Sequence, residues 1–212
     1  MDAIAIDDKY PDGPILFDED DDFGHEPVTA KRIIVYGVTG SGKTTAASRL
    51  SEITGIPWQE VDALMWDPGW KFVPLEMQRE RIAEICQRDE WILDAAYAKW
   101  IDIPMERVQL IVCLDYSRFR TLRQLFVRTV SRCIDKKKVC NGNVESWRSM
   151  FSRESILVWH FKSYSKKKER MQAWHSGLYD FKTVLFKNPI ELDFWMAVET
   201  LRRKKDSSYR ND

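Results

Sequence analysis

One loop constrains this chain more than anything else in it. Gly37-Val38-Thr39-Gly40-Ser41-Gly42-Lys43-Thr44 follows the apolar run Ile33-Ile34-Val35-Tyr36 and leads into Thr45-Ala46-Ala47-Ser48-Arg49-Leu50. A β-branched strand, a glycine-bracketed turn and a helix opening form the setting in which G-x-x-x-x-G-K-[ST] makes a phosphate cradle. Glycines let the backbone turn tightly and aim its N–H groups inward, beside the positive end of the next helix. On this reading Gly37, Val38, Thr39, Gly40, Ser41 and Gly42 line a site for ATP. Lys43 reaches the β- and γ-phosphates, Thr44 offers its hydroxyl to Mg²⁺, and Thr45 adds a hydroxyl near the α-phosphate.

The rest of the composition fits one α/β domain. At 212 residues and 44% hydrophobic content, the chain suits a single buried core and leaves little room for a second. Formal charge is zero, with 33 basic and 33 acidic residues, but residues 1–30 hold ten acids against Lys9 alone. The remainder therefore carries a net +9, which suits a polyanionic ligand such as a nucleotide or nucleic acid, and equally a solvated surface with a counter-charged tail. Residues 1–30, with Pro11, Gly13, Pro14 and an Asp/Glu run, are expected to be a disordered acidic tail, and 206–212 a disordered end. Cys86, Cys113, Cys133 and Cys140 lack paired spacing and read as reduced thiols. With no bilayer-length apolar stretch and an amino terminus unlike a signal or transit peptide, the expectation is a soluble, cytoplasmic protein.

Strands and helices then alternate. Gly55 to Asp62 reads as a break and a short strand ending in acid, and Pro74 to about Gln87 as an amphipathic helix opened by proline. Trp91-Ile92-Leu93-Asp94 and Leu110-Ile111-Val112-Cys113-Leu114-Asp115 are unbroken apolar runs ending in Asp. Such runs fit strands buried on both faces, as in a parallel sheet between helix layers. A basic helix follows from Ser117 to about Arg132, then an excursion over 135–150 and a long helix from Glu154 to Trp174. Thr183-Val184-Leu185-Phe186 supplies a fifth strand, and Pro189 to Leu201 a closing helix.

In open parallel sheets ligands bind beyond the carboxyl ends of the strands, where Asp62, Asp94 and Asp115 are all expected. Asp94 is the favoured metal partner of Thr44, with Asp115 the alternative, and Asp62 faces the acceptor. Asp115 reads equally as a cap for the Ser117 helix. Trp58, Trp66 and Trp70 either wall a ring pocket or belong to the core. Arg128 and Arg132, four apart, share a helical face suited to the charge of a transferring phosphoryl group. Arg148 and Arg153 flank the far side of a lid expected over about 128–153.

The segments Gly37 to Thr44, Val61-Asp62-Ala63-Leu64-Met65-Trp66, Leu93-Asp94-Ala95-Ala96-Tyr97 and Cys140-Asn141-Gly142-Asn143-Val144-Glu145-Ser146, with the basic helix, mark a resemblance. Over about residues 31–200 the chain resembles the small adenylate-kinase-like P-loop proteins catalogued as DNA topology modulation (FlaR-type) proteins. The resemblance implies a nucleoside-monophosphate-kinase fold with a five-stranded parallel sheet flanked by helices, a helical lid, and ATP and Mg²⁺ as cofactors. It implies that Arg128 covers the adenine and Arg132 touches phosphate. Ala95-Ala96 stand where the family has glycine and asparagine, Cys140 stands for its tryptophan, and the phenylalanine-proline-arginine that marks AMP as acceptor in adenylate kinases is missing.

The leading expectation is an ATP-dependent phosphotransferase acting on a nucleotide or another small acceptor, with Lys43, Asp62, Arg128 and Arg132 as catalytic groups. The rival is an ATP-binding regulator touching nucleic acid through Lys136-Lys137-Lys138, Lys166-Lys167-Lys168 and Arg202-Arg203-Lys204-Lys205. A further idea folds the acidic tail over the basic body to cover the site.

Overall fold

The computed structural model describes residues 27–136, 138–144, 147 and 155–208, with side chains to 205. Expectations for the tail up to residue 26, for Lys137, Glu145, Ser146, Arg148 and Arg153, and for 209–212 lie outside the described residues.

The sheet starts from the apolar run before the loop. In β1 (Arg32–Gly37) successive side chains alternate faces. Ile33 and Val35 enter one core with Ala46, Leu50, Val112, Leu114, Trp195 and Met196, while Ile34 and Tyr36 enter a second with Met65, Ile82, Trp91, Ile111, Met171 and Trp174. Both faces are covered, so the run has no polar positions to show. Each fully buried aliphatic side chain contributes about 1.5–3 kcal/mol through water exclusion.

Parallel pairing places β1 between β5 (Trp91–Leu93) and β6 (Leu110–Leu114). Next to β5 runs β2 (Trp58–Gln59), and next to β6 runs β9 (Lys182–Phe186), giving the order β2-β5-β1-β6-β9. The expected five-stranded parallel α/β sheet is therefore present. Helix α1 (Lys43–Thr54) and α7 (Pro189–Ser208) supply the first core, and α3 (Leu75–Gln87) and α6 (Ile156–His175) supply the second. After the short α4 (Asp102–Met105) and β6, helix α5 (Arg118–Asp135) begins, capped by the Ser117 hydroxyl, which accepts from the Arg120 amide at 3.4 Å.

Four local outcomes differ from the sequence reading, one being that the closing helix runs to Ser208, past Leu201 and into the stretch expected as a disordered end. Asp62 does not end a strand: the ladder stops at Gln59 opposite Leu93, and Asp62 lies in the first turn of α2 (Val61–Met65). The Val61 amide is taken by the Asp94 carboxylate, 33 residues away, at 2.8 Å instead of by a neighbouring strand. The excursion after α5 holds a hairpin of β7 (Lys138–Val139) and β8 (Asn143–Val144) around Cys140, Asn141 and Gly142, all at positive φ. Lastly, Val28, within the stretch expected to be a tail, is buried: its amide donates to Glu199 at 3.1 Å and its carbonyl accepts from Arg203 at 2.8 Å.

Candidate functional site

The loop after β1 is held by close approach rather than by side-chain bonds. Gly40, at φ +84°, packs so tightly on α5 that an added Cβ would stand 2.4 Å from the Thr121 carbonyl oxygen and 2.8 Å from Leu125 Cβ. Only glycine accepts both the backbone angle and the contact. Gly42, at φ +88°, caps α1 with no side-chain bond, and a Cβ there would meet nothing within 4 Å. The amino-terminal amides of α1 thus open onto vacant volume, the arrangement that attracts an anion. Ser41 is buried inside the loop, and its hydroxyl has no partner among the described residues.

Around this mouth the polar side chains converge. The Lys43 ammonium folds back to donate to the Val38 carbonyl at 2.9 Å. Burial pulls its pKa below the usual lysine value, the Asp62 and Asp94 carboxylates pull it back up, and Arg128 repels it. The Thr44 hydroxyl donates to Asp94 at 2.6 Å. Asp94 is buried directly after β5, which pushes its carboxyl up to about 6; the Thr44 and Val61 hydrogen bonds oppose that shift. A hydroxyl and one carboxylate suit a hard cation that takes its remaining oxygens from phosphate and water. Among the described residues no cluster of three acidic, histidine or cysteine side chains offers a complete cage.

Asp115, the alternative metal partner, is engaged elsewhere: it accepts from the Lys168 ammonium at 2.8 and 3.1 Å. The cap of α5 is Ser117, not Asp115. Asp62, exposed on α2, accepts from the Tyr97 hydroxyl at 2.5 Å, and its charge reaches Lys43. Arg128 is exposed on α5 within electrostatic reach of Lys43, and Arg132 lies one turn further along, half-buried. Thr45 is exposed on the first turn of α1; Val38 is buried and Thr39 half-buried.

Helix α6 contributes a group that the sequence reading assigned elsewhere. Lys167 donates to the Gly37 carbonyl at 3.4 Å and lies 5.9 Å from the Tyr36 ring centroid. Burial first, then the nearby Lys43 charge, lowers its pKa to about 7, and Asp62 opposes the shift. Arg170, on the same helix, donates to the Tyr36 hydroxyl at 3.2 Å. Two lysines of the Lys166-Lys167-Lys168 run therefore face the end of the sheet. The signal was present in the spacing, since Lys167 shares a helical stripe with the buried His160, Tyr164, Met171 and Trp174.

The flank beyond Asp62 is aromatic. Between β3 (Trp66–Asp67) and β4 (Lys71–Phe72) the chain turns so that Trp66 meets Trp70 at 5.6 Å and Phe72 at 4.2 Å between centroids. Phe72 in turn lies 6.4 Å from Tyr97, which lies 5.6 Å from Trp100. Trp58 is no part of this aromatic row: it packs against the first core on the other side of the sheet. The β7–β8 hairpin clasps this flank. Asn141 donates to the carbonyls of Ala63 and Trp66 at 2.7 and 2.8 Å. Asn143 donates to Asp67 at 3.0 Å and accepts from the Trp70 amide at 2.8 Å.

No protein-family model matches this chain, and no curated protein matches it. Among solved structures, it is similar to a shikimate kinase from Bacteroides thetaiotaomicron at 13% identity and a TM-score of 0.48, over 84% of this chain and 99% of that one. A gluconokinase from Sinorhizobium meliloti aligns at 18% identity and a TM-score of 0.44, over 85% and 96%. A deoxyadenosine kinase from M. mycoides aligns at 14% and 0.42, over 82% and 98%.

Proposed function

We propose that this chain is an ATP-dependent phosphotransferase that moves the γ-phosphoryl group of ATP to a small-molecule acceptor. One observation carries the reading: Thr44 and Asp94 pair at 2.6 Å beside an α1 amino terminus left open at Gly42, with Lys43, Lys167 and Arg128 gathered around it. Three cations facing one open anion site suit a triphosphate, whose charge spreads over equatorial oxygens during transfer.

The residues divide the work. The Gly37–Thr44 loop and Thr45 hold the triphosphate by backbone amides and hydroxyls. Lys43 leaves the Val38 carbonyl to bind phosphate oxygens, and Lys167 leaves the Gly37 carbonyl likewise. Arg128 and Arg132 close over the nucleotide from α5, the first against the base and the second against phosphate. Thr44 and Asp94 hold Mg²⁺, which when bound neutralises charge on the β- and γ-oxygens. Asp62 faces the acceptor.

Lys43→Ala tests the reading. Nucleotide affinity, followed by fluorescence of a labelled ATP analogue, and ADP formation are expected to fall about 100-fold or more in a sample with an unchanged circular dichroism spectrum. Wild-type affinity in that variant refutes it.

A further inference from the structure

Resting on the phosphotransferase reading, we propose that the acceptor is an alcohol carried by a flat-ringed molecule, not a phosphate, with Asp62 as its general base and the Trp66, Phe72 and Tyr97 rings as its wall. Three features of the acceptor flank point the same way.

The first is the pair at its mouth. Asp62 presents a carboxylate between the phosphate-side cations Lys43 and Lys167 and the half-buried ring of Tyr97. One Asp62 oxygen accepts from the Tyr97 hydroxyl at 2.5 Å, which fixes the carboxylate and leaves its remaining lone pairs for one more donor. An acceptor O–H fits that vacancy. An acceptor phosphate brings a second anion against Asp62, and like charges at that range repel.

The second, among the described residues, is where Arg79 and Arg81 of α3 are engaged. Arg79 donates to both Asp102 oxygens at 2.9 and 2.6 Å and to the Lys99 carbonyl at 3.0 Å. Arg81 donates to the Leu64 carbonyl at 2.7 Å. Both forks, the groups best shaped to grip a phosphate, are turned to structural partners.

The third is the aromatic surface. Phe72 is 48% exposed and Trp70 38%, next to each other's neighbour Trp66 and leading to Tyr97 at Asp62. Exposed rings in a row beside a catalytic carboxylate suit a flat, weakly polar partner that stacks on them. The asparagine clasp of Asn141 and Asn143 ties the hairpin to the backbone carbonyls and amide beside those rings.

The step balances with ATP as the phosphoryl donor. Asp62 takes the proton from the acceptor hydroxyl as that oxygen forms a bond to the γ-phosphorus. The bond from the γ-phosphorus to the β–γ bridging oxygen breaks, its electron pair stays on ADP, and Asp62 returns its proton to water. The product is a phosphomonoester.

The test uses the full chain with ATP and Mg²⁺ and four probe sets: nucleosides, hydroxymethyl-substituted pyridines and pyrimidines, ringless polyols, and nucleoside monophosphates. ADP release measures turnover and ³¹P NMR identifies the new bond. Expected are phosphomonoesters from at least one ring alcohol, with kcat/KM at least 10-fold above every polyol and monophosphate. Asp62→Asn should lower kcat for that alcohol about 100-fold while leaving ATP affinity within twofold, and Phe72→Ala should raise its KM several-fold. A phosphoanhydride made from a monophosphate, or a preferred ringless polyol, overturns the inference while the phosphotransferase reading stands. Failure of every ring alcohol in a chain whose ATP binding depends on Lys43 likewise overturns it alone; failure of ATP to bind at all overturns both.

Discussion

The two sides of the candidate site are built on opposite plans. The donor end is made mainly of backbone: a glycine turn pressed on α5, the open end of α1, and one hydroxyl-carboxylate pair between the first turn of α1 and the end of β5. Its parts are local or supported by the buried sheet. The acceptor flank is made of side chains from segments far apart in sequence, with Tyr97 on Asp62, Asn141 on Ala63 and Trp66, and Asn143 on Asp67 and Trp70. A backbone cradle fixes what every nucleotide triphosphate shares, whereas a side-chain clasp can change its partner one substitution at a time. The donor end should therefore fail all at once when its packing is broken, and the acceptor flank should fail piecemeal.

The hardest way to strike that contrast is Gly40→Val. The new side chain would need φ +84° and would collide with the Thr121 carbonyl and Leu125. Destabilisation of about 3–5 kcal/mol is expected, read from the midpoint of urea unfolding. Gly42→Ala has the same unfavourable angle but open space, so its cost should be only about 1 kcal/mol. Equal losses at the two positions would mean that contact with α5 is not what demands glycine.

On the other flank, Asn143→Ala removes the acceptor of the Trp70 amide and the donor to the Asp67 and Cys140 carbonyls. About 1–3 kcal/mol of local stability should go. Hydrogen exchange should speed up in 66–72 and 138–144 while β1 and α1 stay protected. Nucleotide affinity should hold within twofold. Simultaneous loss of protection in α1 would show that the flanks are not separable.

The same division explains what could be read from the sequence. The strands in 33–36 and 110–114 are legible because burial on both faces leaves unbroken apolar runs, and 183–186 because its β-branched and aromatic residues still pack on the sheet's two cores from a half-buried edge. The loop was legible because its spacing is a backbone requirement, and Asp94 because it directly follows a short apolar strand. Asp62 sits on α2 and not at a strand end because its neighbour Val61 bonds to Asp94, 33 residues away, a contact that no local pattern shows. The roles of Asn141 and Asn143 stayed hidden for a similar reason, since they bond across 73–78 residues of chain. Lys167 was obscured by its company. In a run of three lysines a charged surface is the natural reading, and only the stripe through Tyr164 and Met171 shows that it points inward.

Lys167 also gives the finest measure of the donor end, through protons. Its folded pKa, lowered to about 7, means that the folded chain binds fewer protons than the unfolded one from there up to the ordinary lysine range. Stability from this group therefore rises with pH across that window. Asp94, raised to about 6, works the other way: its contribution is fully present below the ordinary carboxylate range and is lost as pH rises through 6. Near pH 8 the unliganded Lys167 is mostly neutral. A triphosphate seated beside it favours the charged form, so binding must draw a proton from solution. Calorimetry of ATP binding at pH 8, repeated in buffers of different ionisation enthalpy, should show uptake approaching one proton, falling toward zero at pH 6. Lys43, lowered in the same direction, contributes to the total, and Lys167→Met isolates the difference. If that variant takes up as much as the wild type, the ammonium on α6 does not meet the nucleotide, and the donor end is served by its backbone, Lys43 and α5 alone.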